Sequence, residues 1–126
     1  MRIPQGVKSK DLQLGTGALA TKGVVVLVHY DCFLPRGEKI DTSRGKPFPV
    51  QFEIGRRKIF PGLEYGVLGM RVGGIRSIRV SPQLTYYERQ IHPELPLNAA
   101  LRYEIELIRA SEEWDNSVYA LPWLGE

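Results

Sequence analysis

Few residues in this sequence have the types and spacing that chemistry requires, and each candidate also has a plainer structural reading. A serine nucleophile needs a histidine and an acid within reach, and only His29 and His92 are present, with no G-x-S-x-G elbow. Hydrolytic catalysis is therefore not expected: His29 reads as a packed or surface side chain in an extended run, and His92, followed by Pro93, as an exposed loop residue. Cys32 has no second cysteine to pair with, and its spacing from the histidines fits no zinc ligand set. No structural metal, no cofactor and a reducing compartment are the expectations. Gly15-Thr16-Gly17-Ala18-Leu19-Ala20 matches a dinucleotide-binding pattern. No apolar strand leads into it, however, and Lys22-Gly23 closes it before a helix could form, so a turn explains it better.

Two basic groups, Arg56-Arg57-Lys58 and Arg71, Arg76, Arg79, could touch phosphate, but neither has interleaved aromatic rings on which bases would stack. Solvated strand faces are the simpler reading. A richer set is Tyr30, Ile40, Ile59, Phe60, Leu63, Tyr86, Tyr87 and Tyr103, which are large apolar groups several of which carry a phenol hydroxyl. They fill a core, or they line a pocket for a small ligand or peptide, with apolar walls and a few polar handles.

The elements that must position these residues follow from periodicity. The chain has 126 residues, 43% hydrophobic and 25% charged, which fits one domain. Thirteen glycines and nine prolines disfavour long helices. Leu101, Tyr103, Ile105 and Leu107 alternate with Arg102, Glu104 and Glu106, giving a half-buried antiparallel strand. From Gly23 to Leu34 a second long strand starts with apolar residues on both faces, and Val50 to Ile54 and Ser77 to Val80 add two more. Leu63, Val67 and Met70 have helical spacing after Pro61, which predicts one short helix ending near Gly73-Gly74 and lying across the apolar face of the sheet. Pro35 to Pro49 and Ser81 to Asn98 read as long loops. The fold class is α+β.

All 17 basic residues and ten of the 14 acidic ones precede residue 111, which leaves that part at +7 and the remainder acidic. The last sixteen residues hold both tryptophans and Tyr119, and form an acidic, aromatic tail (111–126) after a domain of residues 1–110. The start of the chain lacks the apolar run of a signal peptide, and Val24 to Val28 is too short to span a bilayer, so a soluble, cytoplasmic protein is expected.

The order of segments resembles the FKBP family of peptidyl-prolyl cis/trans isomerases. The match runs through His29-Tyr30, Gly37-Glu38-Lys39-Ile40-Asp41-Thr42-Ser43-Arg44, Lys46-Pro47-Phe48 and Phe52-Glu53-Ile54-Gly55. It continues through Ile59-Phe60-Pro61-Gly62-Leu63-Glu64, Met70-Arg71-Val72-Gly73-Gly74, Ser81-Pro82 and Leu101 to Leu107. The resemblance implies a strongly bent antiparallel sheet wrapped around one short helix. It also implies a catalytic set of Tyr30, Asp41, Phe60 (through its backbone N–H) and Tyr86, and substrate-binding walls of Ile40, Val50, Ile59, Leu63, Leu95 and Tyr103. Leu63 stands where the best-known members have tryptophan, and Ile40 and Val50 where phenylalanine is frequent, so the family's macrolide inhibitors are expected to bind with weakened affinity.

Rotation about an X-Pro bond breaks no covalent bond, which accounts for the lack of a nucleophile or metal set, and implies a shallow pH profile. The expected activity is isomerisation of X-Pro bonds in protein segments, in aid of folding. Alternatives are a non-catalytic proline-binding module and, further off, a basic β-barrel for nucleic acid, which the pI near 9.1 favours and the acidic tail opposes. Neither nucleic acid nor membrane is an expected partner. Within the tail, Leu121-Pro122-Trp123 resembles a substrate segment, so docking of the tail on its own molecule or a neighbour's, including self-association, is a further expectation.

Overall fold

The structure is a computed structural model that describes residues 1–118. Its centre is β2 (Val25–Phe33), whose side chains are buried on both faces at the start, Val26 and Val28 toward the core and Val25 and Leu27 on the other side. One long edge of β2 pairs with β6 (Leu101–Ser111). The opposite edge is shared by β4 (Val50–Glu53), beside residues 25–28, and β3 (Lys39–Thr42), beside residues 31–33. At the junction between them Ser43, fully buried, donates its N–H to the Tyr30 carbonyl at 2.9 Å and accepts the Tyr30 N–H on its hydroxyl at 2.8 Å. β5 (Ile75–Val80) and β1 (Val7–Gln13) complete an antiparallel order β1-β5-β6-β2-β3 that curls without closing. The hydrophobic alternation of β6 holds to the register: Leu101, Tyr103, Ile105 and Leu107 are each at most 1% exposed.

The concave face is filled by α1 (Pro61–Val67), which packs on β5, β6 and β1. Pro61 occupies the first turn, where no N–H partner is missed. A seven-residue helix has little stability of its own, and two features hold it in place. Gly62 and Gly66 face the sheet so closely that a Cβ on either would collide with Val80 or Ile78. Glu64, 2% exposed, accepts the backbone N–H of Gly55 at 2.6 Å and of Arg57 at 3.3 Å, fastening the loop that leads into Ile59 and Phe60.

Five elements differ from the sequence expectations. β1 was not expected, because Lys8, Ser9, Lys10 and Asp11 form an exposed edge with no apolar alternation. The segment 35–49 is not all loop: β3 forms there with Ile40 as its only apolar residue, stabilised by pairing with β2. The segment 81–98 contains a 3-10 turn (Pro82–Leu84) and a short helix, α2 (Tyr86–Ile91). The first helix also stops at Val67, earlier than Gly73-Gly74, because Gly69 turns the chain at φ +82° and Met70 then accepts the Ala20 N–H at 2.8 Å. Met70 stays in the core by position rather than by helical phase. Gly15 and Gly17 pack on the backbone of Arg71 to Gly74, as a turn, not a nucleotide cradle. No helix among the described residues is long and apolar enough to cross a membrane.

Candidate active site

Tyr30, near the middle of β2, points to the concave side, where its ring meets that of Tyr103 on β6 edge to face, with centroids 5.6 Å apart. Its hydroxyl donates to Asp41 Oδ2 at 2.9 Å. That bond joins two elements that the register sets side by side, since Asp41 pairs with Cys32 across the β2–β3 ladder. Asp41 Oδ1 accepts the Thr42 N–H at 2.8 Å, and Lys46 Nζ lies 3.6 Å away. Burial, followed by the Asp41 charge, pushes the Tyr30 phenol far above its ordinary range, so it stays a proton donor at any physiological pH.

Around this pair stand the apolar candidates. Ile59 and Phe60 arrive from the loop fastened by Glu64, Leu63 from α1, Val50 from β4 and Leu95 from the segment after α2, all in the same buried cluster as Tyr30 and Tyr103. Ile40 packs against that cluster while half-buried. The structure thus brings nine of the ten candidate positions to one region from seven parts of the chain. Tyr86 is the exception: it is 43% exposed and tilts against Tyr87 at 4.5 Å, lining an outer groove of about 390 Å³ with Tyr65, Leu84 and Pro61. Tyr87, its neighbour, is the one that packs on the core.

Two site groups are not apparent from the sequence. Glu88 on α2 is 2% exposed and accepts the Tyr103 hydroxyl at 2.6 Å on Oε2, while Oε1 is buried with no hydrogen-bond partner among the described residues. Burial raises its carboxyl to about 6. His92, expected to be exposed, caps the end of α2 half-buried, with Nε2 4.0 Å from Asp41 Oδ2 and Nδ1 3.6 Å from Glu94. The only signal that could have marked it is its place next to Pro93 in the loop opposite Asp41.

The other chemical candidates are accounted for structurally. His29 Nδ1 lies 2.9 Å from Ser43 Oγ, but that hydroxyl is buried and already engaged by the Tyr30 N–H, so it is no accessible nucleophile. The Cys32 thiol is buried and pushed up to about 12, mainly by that burial, and so is inert. Arg76 is committed to Asp11 and to the carbonyls of Gly66 and Leu68. Among the described residues no group of three metal-ligating side chains comes together.

A bent sheet around a short helix, with a tyrosine–carboxylate pair set in an apolar enclosure, defines a class, and comparison with known proteins agrees. Residues 17–108 match the family model of the FKBP-type peptidyl-prolyl cis-trans isomerases, and the chain belongs to that family. Among curated relatives, it is 36% identical over 115 residues to the chloroplastic peptidyl-prolyl cis-trans isomerase FKBP16-4 of Arabidopsis thaliana, covering 84% of this chain and 49% of that protein. It is 33% identical to the 46 kDa FK506-binding nuclear protein of Spodoptera frugiperda, covering 84% of this chain and 26% of the relative. With FK506-binding protein 1A of Neurospora crassa the identity is 35%, over 86% of this chain and 92% of the other. The chain thus spans about half or less of the first two relatives and nearly all of the third.

Proposed function

We propose that this domain accelerates cis/trans isomerisation of X-Pro bonds in protein segments, with the proline ring held among Ile59, Phe60, Leu63 and Tyr103. The observation that carries the reading is the Tyr30–Asp41 pair, fixed at 2.9 Å at the edge of the buried apolar cluster that holds Ile59, Phe60, Leu63 and Tyr103. The barrier to rotation, about 18–20 kcal/mol, comes from amide resonance, which water reinforces by hydrogen-bonding the polarised carbonyl. An enclosure that strips water from the amide and fits the twisted geometry lowers that barrier without proton transfer. In this reading the Phe60 N–H donates to a substrate carbonyl, Leu63 forms the floor, and Ile40, Val50 and Leu95 close the sides. Tyr30 donates to the substrate in competition with Asp41, which holds the phenol aimed between turnovers.

Tyr86 is assigned a lesser part, at the rim beside Tyr87. A reducing compartment such as the cytoplasm suits the buried free thiol of Cys32, and macrolides of the FK506 type are expected to enter the same enclosure with weakened affinity. The test is a coupled isomerisation assay on short X-Pro peptides with the parent chain, Tyr30→Ala and Leu63→Trp. The reading expects clear acceleration by the parent chain, a loss of about tenfold or more in Tyr30→Ala, and retained or raised activity in Leu63→Trp. No acceleration by any of the three, each shown to be folded by circular dichroism, would replace it with that of a proline-binding module.

A further inference from the structure

The segment after β6 does not leave the domain. Gln51 on β4 is 1% exposed although polar, because its amide is consumed by that segment: Oε1 accepts the Asp115 N–H at 2.7 Å, and Nε2 donates to the carbonyls of Asp115 at 3.0 Å and Val118 at 3.3 Å. Arg109 adds an ion pair to Asp115 at 3.5 Å. A buried amide satisfied on both its ends is a built fastening rather than a chance contact. It fixes the Val118 carbonyl against the outer face of β4, the face that carries Gln51.

Val50 and Gln51 are consecutive in a strand and so point to opposite faces, Val50 into the candidate site. Among the described elements β4 pairs with β2 alone, which leaves its other edge as the short way round from Val118 to that site. Four residues reach at most about 14 Å in extended form, more than the roughly 10 Å that separates two packed layers, so the chain beyond Val118 has the length to round the β4 edge. Residues 119–126, Tyr-Ala-Leu-Pro-Trp-Leu-Gly-Glu, contain a single charge and an X-Pro bond between two large apolar side chains. Such a segment has both a reason to leave water and the chemistry the site is read to accept.

We propose that Leu121-Pro122-Trp123 docks in cis in the proline-binding enclosure, as the domain's own ligand. The proposal rests on the reading of that enclosure given above. Tethering by the Gln51 fastening gives the segment an effective concentration on the order of a millimolar, so that even a weak X-Pro ligand competes with protein substrates. A partner chain must then displace the segment, and a peptide without comparable affinity is turned over slowly.

The experiment compares the full chain with a full-length variant carrying Leu121→Ser, Pro122→Ala and Trp123→Ser, by amide resonances in nuclear magnetic resonance and by isomerase assay. The proposal expects resonance differences at Asp41, Ile59 and Phe60, unchanged on tenfold dilution, and none along β1, and a kcat/KM raised about fivefold or more in the variant. Adding a peptide of residues 117–126 to the variant is expected to restore the parent resonances at those three positions. Identical resonances at the three positions overturn the proposal, as do differences that vanish on dilution, which would place the segment in a second copy. Resonance differences with no isomerisation by either protein would uphold docking while removing the catalytic reading, so the two fail separately.

Discussion

Tyr103 donates its hydroxyl to Oε2 of Glu88 at 2.6 Å, and this single bond ties β6, through the core, to the short helix that flanks the candidate site. The groups facing the pair are Tyr30 and Cys32 from β2, the Asp41 charge from β3 and Arg89 on the helix itself. Because Oε1 is buried without a hydrogen-bond partner among the described residues, the protonated carboxyl is the better-tolerated form there, and burial lifts its pKa from 4.5 to about 6.

A raised carboxyl pKa in the folded state means that folding takes up a proton. The stabilising contribution is therefore complete below about pH 4.5 and is lost as pH rises through about 6, with a magnitude of about 2 kcal/mol. Amide protons of α2 should exchange more slowly at pH 5 than at pH 7.5 after correction for intrinsic rates, and Glu88→Gln should flatten the difference. Equal pH dependence in the parent and the variant would place the effect elsewhere.

Tyr30 and Asp41 act through one hydrogen bond, so their removal should not be additive. Tyr30→Phe and Asp41→Asn are each expected to lower kcat/KM by about tenfold, and the double variant by little more than the worse single one. A double variant that loses the product of the two would show independent roles.

Glu64 carries the approach to Phe60. Glu64→Ala leaves the N–H groups of Gly55 and Arg57 without their acceptor and should cost about 3 kcal/mol in urea unfolding. It should also lower activity, although Glu64 touches no substrate.

Three walls of the enclosure, Ile40, Val50 and Leu63, are aliphatic, and a lost ring contact is worth about 1 kcal/mol each. Titration calorimetry with an FK506-type macrolide should therefore show a Kd weaker by about a hundredfold than that of a relative with three rings. Leu63→Trp should recover part of the difference.

Removing the Gln51 amide should free the segment it fastens. In Gln51→Leu, the Asp115 N–H is expected to exchange at least about tenfold faster, with global stability lowered by only about 1 kcal/mol per lost bond. A protected Asp115 in that variant would show that Arg109 alone holds the segment.

What the sequence determined by itself is the part of the fold where each element buries one face strongly. β2, β4, β5, β6 and α1 are legible because Val26, Val28, Phe52, Ile78, Val80, Leu63 and Val67 recur with the period of the element that buries them. The candidate site was reachable through the order of short segments, and Tyr30, Val50, Leu63 and Tyr103 sit on those same elements, whereas Ile40 and Asp41 lie on β3 and Leu95 follows α2. Tertiary structure decided the rest. β1 and β3 are edge strands whose exposed residues carry no period, and they exist because β5 and β2 offer unpaired backbone. α2 is six residues long and holds through contacts such as Glu88 to Tyr103, fifteen positions apart. The place of His92 beside Asp41, and the capture of Asp115 by Gln51 across 64 positions, are equally silent in the sequence. A hydrogen bond between distant residues leaves no periodic trace, because nothing in local chain chemistry distinguishes a glutamine that will be buried and paired from one that will face water.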